Sequence, residues 1–214
     1  MLLTLPQRMY LLAYSVDKEK FESTNLQGRG PLLRAAALAE LTLDGLLDAQ
    51  QKTVARRPGP APDDDFLAGV WRDVPEKPQG WLKLIHDKHT TAEKPVREQL
   101  IRAGSISSRA KRGLLSSLVS PQVQVSDPHQ VMALQKTARQ AVLAEADPAL
   151  VPDQELVMTV LPVECEMSSV FTSRETREHK HTLKQLAERF DELVPGLRMA
   201  LRDSYLVVRG VGGG

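Results

Sequence analysis

The residue types that most often carry out catalysis are present, but their spacing does not favour an active site. Cys165 is the single cysteine, and Glu164 and Glu166 flank it. Neighbouring carboxylates raise the pKa of a thiol and so disfavour the thiolate that a nucleophilic cysteine needs. His179 and His181 are two positions apart, so a helix would direct them to different faces. We therefore predict that Cys165 is a core residue and that the protein is not an enzyme.

Metal ligands are equally sparse at useful spacings. Glu178 and His181 form one E-x-x-H pair, whereas a di-iron helical bundle uses two such pairs and two further glutamates. His86 and His89 can share a helix face, but no obvious third ligand accompanies them. The sequence also contains no G-x-S-x-G, P-loop or G-x-G-x-x-G motif. We predict neither a metal nor an organic cofactor.

Composition and charge narrow the class of protein. The 214 residues carry a formal net charge of +1, one cysteine and 4% aromatic residues. The near-zero charge gives no global signature of a polyanion binder, and the lone cysteine fits a reducing compartment. No stretch approaches the roughly 18 apolar residues of a membrane span, and the N-terminal segment does not resemble a signal peptide. These features predict a cytoplasmic protein whose membrane association, if any, is peripheral and on the cytoplasmic face.

One arginine lies in a segment that otherwise has the pattern of a buried helix. Residues 30–47 are mostly apolar, and Arg34 falls between Leu38 and Leu41 on the helical surface. It is also close to the helix N-terminus, which is the unfavourable end for a cation. Arg34 therefore requires an anion from elsewhere, either a carboxylate on another element or a bound phosphate, which suits the planar fork of a guanidinium. The amides of the preceding G-R-G-P segment and the Arg29 side chain could help to hold such an anion.

Apolar periodicity, capping residues and turn residues predict a mainly α-helical fold with a few short strands. Thr4 is a candidate N-cap, Gly45 ends the arginine-bearing helix, and Pro95 is expected to start a later helix. The order helix, glycine, strand, basic stretch, strand occurs at 32–57 and again at 95–120, as a weak internal repeat. The predicted helices cover about 4–16, 30–44, 64–74, 79–88, 95–103, 127–147, 153–170, 172–193 and 195–208.

A basic and apolar hairpin is predicted at 107–125, where cationic residues precede leucines and serines lie between them. Such an arrangement can place basic groups at lipid headgroups and leucines slightly deeper, and each base adds about 1 kcal/mol near an anionic surface. The same residues could instead pack on the protein's own core or form a contact between two copies. The residues concerned are Arg109, Lys111, Arg112, Leu114, Leu115, Leu118 and Val119.

The order of these segments resembles the Golgi phosphoprotein 3 family, including its bacterial members. The matching pieces are LTL at 3–5, LLRAAALAELTLDGLL at 32–47, GWLKLI at 80–85, VREQLIRAGSI at 96–106, the hairpin at 107–125 and the helices after Asp127. The resemblance covers nearly the whole chain. It implies one mainly helical globular domain at 1–209, with a few short β-strands and a protruding β-hairpin, followed by a disordered tail at 210–214.

The resemblance also implies a function. Eukaryotic members of the family are non-enzymatic peripheral membrane proteins that bind phosphatidylinositol 4-phosphate in a basic pocket and help to retain glycosyltransferases in the Golgi. Their hairpin is linked to membrane contact and to self-association. The resemblance therefore implies an adaptor whose partners are anionic, phosphoinositide-like phospholipids and a second copy of the chain.

Only one residue of the family's headgroup-binding set is retained. Arg34 matches the arginine of the family's L-R-x-x-x-L-x-E-L helix, whereas a tryptophan and two further arginines are replaced. The replacing residues are Asn25, Thr90 and Glu93. The resemblance thus implies that the headgroup specificity is altered or lost. The anion-contacting residues predicted for this chain are Arg34, Arg29 and Arg97.

Two other functions fit parts of the sequence. The repeated pattern of helix, glycine, strand, basic turn and strand also describes a winged-helix nucleic-acid-binding module. Against it, neither apolar helix offers the polar outward face of a recognition helix. A ligand-free interaction scaffold is the third possibility, and it would satisfy Arg34 with an internal carboxylate. The membrane adaptor is the function we predict, and nucleic acid is the least favoured partner.

Overall fold

The computed structural model describes residues 3–21, 28–109 and 122–211. Helices dominate this part of the chain, which confirms the predicted fold class, and the strands form short antiparallel pairs. The helices are α1 (Leu5–Leu12), α2 (Arg29–Leu43), α3 (Asp65–Asp73), α4 (Trp81–His86), α5 (His89–Arg102), α6 (Pro128–Leu143), α7 (Asp153–Glu164), α8 (Ser173–Glu178), α9 (Lys180–Leu193) and α10 (Leu197–Val211). The strands are β1 (Tyr14–Ser15), β2 (Lys20–Phe21), β3 (Leu47–Ala49), β4 (Thr53–Arg56), β5 (Gln79–Gly80), β6 (Ile106–Arg109) and β7 (Gln122–Val125).

Helix α2 lies at the centre of the fold. It packs against α1, α3, α4, α5, α7 and α10, and every residue from Leu32 to Ala39 is buried. A helix that is apolar around its whole circumference is expected to be buried on all sides. Its alanines allow neighbouring helices to approach closely, while each fully buried leucine contributes about 1.5–3 kcal/mol. The segment that carries Arg34 is therefore the core helix of the protein.

Capping side chains fix several helix starts. The backbone N–H of Thr4 donates to Gln7 Oε1 at 3.1 Å at the start of α1. Asp64 accepts from two backbone N–H groups at the start of α3, both at 2.9 Å, and Asp127 accepts from one at the start of α6, at 2.9 Å. Such contacts replace the partners that the first N–H groups of a helix lack. Thr4 occupies the predicted N-cap position of α1, but its own hydroxyl has no hydrogen-bond partner among the described residues. Helix α6 begins directly after Asp127, within one residue of the predicted start at 127.

The predicted order of helix, glycine and strand is present in both segments of the repeat, whereas the basic stretch of the second segment reaches into 110–121, outside the described residues. Helix α2 is followed by Gly45 at φ +73° and α5 by Gly104 at φ +71°, a left-handed conformation that glycine adopts without steric cost. Each glycine leads into an antiparallel hairpin, β3–β4 and β6–β7. At the base of the β6–β7 hairpin, Ile106 pairs with Val125, and both side chains are buried.

Helix α5 begins earlier than predicted, so the predicted start at Pro95 is wrong. The helix starts at His89, directly after Lys88, whose φ of +58° breaks the preceding chain direction. Pro95 lies inside the helix. Since a proline lacks an N–H group, it removes one bond, to the carbonyl of Thr91, and the flanking turns keep the helix intact.

Three helices, α1, α6 and α7, end four or more residues earlier than predicted. Helix α1 ends at Leu12, and the residues that follow pair as β1 with β2, with Tyr14 opposite Phe21. The helix predicted at 153–170 ends at Glu164, and Glu166 then adopts φ +49°. A positive φ at a non-glycine residue is incompatible with continuing a right-handed helix.

The last two predicted helices are also modified. The helix predicted at 172–193 is divided at His179, which ends α8 and precedes α9. Helix α10 extends to Val211, and residues 212–214 lie outside the described residues. Among the helices described, none is both long and apolar enough to cross a bilayer.

Candidate anion-binding cleft

Arg34 is buried and is held by two acceptors. Its side chain is 3% exposed; Nε donates to the carbonyl of Leu84 at 2.6 Å, and Nη1 donates to Asp73 Oδ2 at 3.1 Å. Its Nη2 is buried and has no hydrogen-bond partner among the described residues. Of the two anions considered from the sequence, an internal carboxylate is present, yet the described residues leave one amino group of the guanidinium without an acceptor.

Asp73 bridges Arg34 to a second cation. Its other oxygen, Oδ1, accepts from Lys88 Nζ at 2.5 Å. The Lys88 side chain is 65% exposed, whereas the Asp73 side chain is 21% exposed. One carboxylate therefore has a buried guanidinium on one oxygen and a solvent-accessible ammonium on the other.

These residues line a cleft between α3 and the start of α5. The cleft has a volume of about 350 Å³, and we call it the Arg34 cleft. Its polar lining comprises Arg34, Asp65, Arg72, Asp73, Lys88 and Thr91. Three of these residues are cationic and two are anionic, so the excess charge is positive. Phosphate and carboxylate groups match such a lining, because guanidinium and ammonium groups donate strong charge-assisted hydrogen bonds.

Arg29 and Arg97 do not line the Arg34 cleft but meet in a separate cluster at Glu93. Arg29 Nη1 donates to Glu93 Oε1 at 2.9 Å, and Arg97 Nη1 lies 3.8 Å from the same oxygen. The Arg29 guanidinium carbon lies 4.6 Å from the ring centres of both Tyr10 and Phe21. Burial lowers the pKa of Arg29, which the coulombic effects of Tyr10 and Glu93 partly oppose. The sequence therefore identifies two arginines of this cluster without revealing their distance from Arg34.

The Arg29 guanidinium is only partly hydrogen-bonded within the described residues. Its Nε and Nη2 atoms, which together form one edge of the guanidinium, are buried and have no hydrogen-bond partner in the described part of the chain. A planar edge of this kind matches the two oxygens of a carboxylate or phosphate. Glu93 already accepts from Nη1, at the other end of the guanidinium.

The predicted hairpin is described only at its base. Strands β6 and β7 pair from Ile106–Val125 up to Arg109–Gln122, so the two strands run antiparallel to the point where the description stops. The side chain of Arg109 and all other hairpin residues named above lie outside the described residues. These residues are Lys111, Arg112, Leu114, Leu115, Leu118 and Val119.

Cys165, His86 and His89, which were considered above as catalytic or metal-binding residues, have packing roles in the structure. Cys165 is buried, and burial raises the pKa of its thiol far above the usual range, as the neighbouring Glu164 and Glu166 also do. His86 and His89 stack with their ring centres 4.5 Å apart. Within the described residues, no group of three or more histidine, cysteine, aspartate or glutamate side chains could hold a metal ion.

Sequence reasoning did not find Asp73 and Lys88. Both lie near ends of predicted helices, at 64–74 and 79–88, where an aspartate or lysine usually means only a capped or solvated turn. Their partner, Arg34, is 39 residues from Asp73. No periodicity relates residues so far apart, so the sequence contains no signal for this bridge.

A comparison with models of protein families identifies the chain. The model described as Golgi phosphoprotein 3 (GPP34) matches residues 5–204. The chain belongs to the Golgi phosphoprotein 3 family. No curated protein matches the chain in a direct comparison. Golgi phosphoprotein 3 proteins form a non-catalytic adaptor family whose members bind phosphoinositide lipids and associate peripherally with the Golgi.

Proposed function

We propose that this protein is a non-enzymatic adaptor that docks on anionic membrane surfaces, with a headgroup preference that differs from that of phosphatidylinositol 4-phosphate binders. The observation that carries the proposal is the Arg34 cleft. A buried guanidinium lines it, and one amino group of that guanidinium has no acceptor among the described residues. A buried cationic donor without a partner costs free energy, and an external oxyanion that comes within hydrogen-bond distance of it would remove that cost.

The altered preference is supported by charge at the replaced headgroup positions. Glu93 places a carboxylate where the family has an arginine, and that carboxylate is itself neutralised by Arg29 and Arg97. Asp73 similarly offsets one of the two positive charges of Arg34 and Lys88. The described residues around both sites thus offer fewer uncompensated cations than a polyphosphate headgroup would require.

The membrane-contacting part of the proposal concerns the hairpin. Strands β6 and β7 are paired at their base, and the twelve residues between them carry Lys111, Arg112 and four apolar side chains in sequence. Basic groups attract anionic lipid, and apolar side chains of this kind add about 1.5–3 kcal/mol each when they are fully buried. The hairpin is therefore proposed as the element that holds the adaptor at the bilayer surface or joins two copies.

Co-sedimentation with vesicles tests the proposal. We expect binding to phosphatidylcholine vesicles that contain phosphatidylserine, weaker binding at high salt, and little binding to phosphatidylcholine alone. Vesicles with phosphatidylinositol 4-phosphate at matched charge should bind no better than those with phosphatidylserine. Equal binding to neutral and anionic vesicles, or no binding to either, would show that the proposal is wrong.

A matched pair of variants separates the hairpin from general surface effects. Leu114→Asp should reduce co-sedimentation by about 10-fold or more, because one buried leucine and a repelled carboxylate are both involved. Leu150→Asp is the control, since Leu150 is 80% exposed and lies in a short 3-10 helix at 148–150. Equal losses in both variants would assign the effect to charge alone.

A ligand-free scaffold is the second candidate, because the Arg34–Asp73 pair is an internal partner of the kind that this function requires. In that case the protein binds no vesicles, and replacement of Arg34 changes only the free energy of unfolding. The winged-helix alternative is disfavoured because α2, which would be its recognition helix, is buried among six other helices and cannot enter a DNA groove.

A further inference from the structure

Asp73 occupies an unfavourable place for a carboxylate. It is the last residue of α3, where the helix dipole presents its negative end and favours cations instead. Its Oδ2 accepts from Arg34 Nη1 at 3.1 Å and its Oδ1 accepts from Lys88 Nζ at 2.5 Å. The local helix does not stabilise this charge. Arg34 and Lys88, across the cleft, stabilise it instead.

The two cations that Asp73 joins, Arg34 and Lys88, differ in how firmly they are held in place. Arg34 is 3% exposed and is fixed by the Leu84 carbonyl at 2.6 Å, so it cannot leave. Lys88 is 65% exposed, and an exposed ion pair contributes only about 0–1 kcal/mol. An external anion can therefore bind Lys88 in place of Asp73 at little cost in free energy, whereas at Arg34 it has to compete with Asp73.

We propose that Asp73 is the specificity-determining residue of the Arg34 cleft. Its carboxylate occupies the position that an external oxyanion would take, so a phosphate-class anion binds there only in competition with Asp73. This inference rests on the proposed function, since it concerns the ligand of the same cleft. Arg34 Nη1 and Lys88 Nζ are already spaced to grip two oxygens of one group, as they do for the carboxylate. A phosphate offers further oxygens beyond the two that a carboxylate supplies, and these can accept from other donors that line the cleft.

The test variant removes the negative charge of Asp73 and keeps the shape of its side chain. Asp73→Asn retains a carbonyl oxygen for Arg34 but removes the negative charge that repels an incoming anion. Inorganic phosphate is the probe, titrated at pH 7.5 and constant ionic strength, without membranes. We expect the variant to bind phosphate at least about 10-fold more tightly than the wild type, because a like charge within hydrogen-bond distance of the ligand is removed.

Asp65→Asn is the matched control. Asp65 lines the same cleft, but its nearest cation is Arg102, at 3.8 Å, and not Arg34. We expect its affinity for phosphate to stay within about 3-fold of wild type, since the loss of an exposed, screened charge has a small effect. Lys88→Gln in the Asp73→Asn background should abolish most of the gain. Equal phosphate affinity in the wild type and Asp73→Asn, or an equal gain in Asp65→Asn, overturns the proposal.

Loss of folding does not obscure the result. Arg34 keeps a buried charge when Asp73 is replaced, so the variant is expected to be less stable. Binding is then read from the rise in the unfolding midpoint that phosphate causes relative to chloride. Asp73→Ser, which keeps a hydroxyl acceptor, must show the same rise. A variant that folds only with phosphate supports the proposal, and failure of both variants to fold with phosphate present refutes it.

The two proposals fail separately. A gain in phosphate binding by Asp73→Asn without any change on vesicles identifies a soluble phosphate compound as the ligand. A gain in both assays, strongest on vesicles that contain phosphatidylinositol 4-phosphate, identifies a lipid headgroup. Absence of vesicle binding by the wild type refutes membrane docking but leaves the role of Asp73 to be decided by the phosphate titration.

Discussion

We expect Glu40→Gln to stabilise the protein by an amount that grows as the pH rises from 4.5 to about 7 and is complete at pH 8. Glu40 Oε2 accepts from the backbone N–H of Leu5 at 2.7 Å, at the start of α1. Burial raises the pKa of Glu40 from 4.5 to about 7; the Leu5 N–H opposes this shift, Asp44 adds to it, and Arg8 opposes it more weakly. Glutamine keeps an oxygen for Leu5 and carries no charge.

The direction of the effect follows from proton binding. Between pH 4.5 and about 7 the folded wild type holds a proton on Glu40 that the unfolded chain releases, so stability falls as the pH rises through this range. The difference between the two values sets an upper limit of about 3 kcal/mol. Partial exposure reduces it to about 1–2 kcal/mol. Glu40→Gln avoids this loss and should be more stable by that amount at pH 8, with little difference at pH 5.

Urea unfolding of both proteins at pH 5 and pH 8 measures this difference directly. At pH 8 the melting temperature should also rise by about 2–8 °C. Glu98→Gln is the control, because Glu98 is 56% exposed and lies 3.9 Å from Lys94 in a solvent-screened pair. The reasoning is refuted if Glu40→Gln has the same effect at both pH values, or if it destabilises the protein at pH 8.

Three further predictions concern packing and burial. Arg29→Met should reduce the free energy of unfolding by about 2–4 kcal/mol in chemical denaturation, because it removes the bond to Glu93 and two cation–aromatic contacts; a loss below about 1 kcal/mol would contradict it. Cys165 should resist a thiol reagent at pH 8 until urea unfolds the chain, since burial raises its pKa; rapid labelling of the native protein would disprove this. Gly196→Ala should cost more than about 3 kcal/mol because φ is +87° and the new Cβ would lie 1.8 Å from a backbone oxygen, whereas Gly59→Ala, in open space, should be nearly neutral.

Local features of the fold were predictable because neighbouring residues determine them. The cap at Thr4 and the left-handed turns at Gly45 and Gly104 each depend on a few adjacent residues. The apolar circumference of the 30–44 helix likewise predicted its burial. The start of α5 was missed because Lys88 adopts a left-handed conformation that its residue type does not favour.

The candidate site was predicted one residue at a time, and its assembly was not. That Arg34 needs an anion followed from its position on an apolar helix surface, yet its partner is 39 residues away. Arg29 finds Glu93 at a separation of 64 residues. Pairs of this kind depend on how helices cross, and the side-chain period of a single helix contains no information about the crossing partner.

The central position of α2 has a consequence for synthesis of the protein. Helix α2 packs against α1 at the beginning of the fold and against α10 at its end, so its apolar circumference cannot be covered completely until nearly the whole chain has left the ribosome. The face of α2 that packs against α7 and α10 therefore stays uncovered during much of translation, and exposed apolar surface of this kind favours chaperone binding or aggregation. For the same reason, a chain that stops after residue 126 should yield insoluble protein and not a folded half.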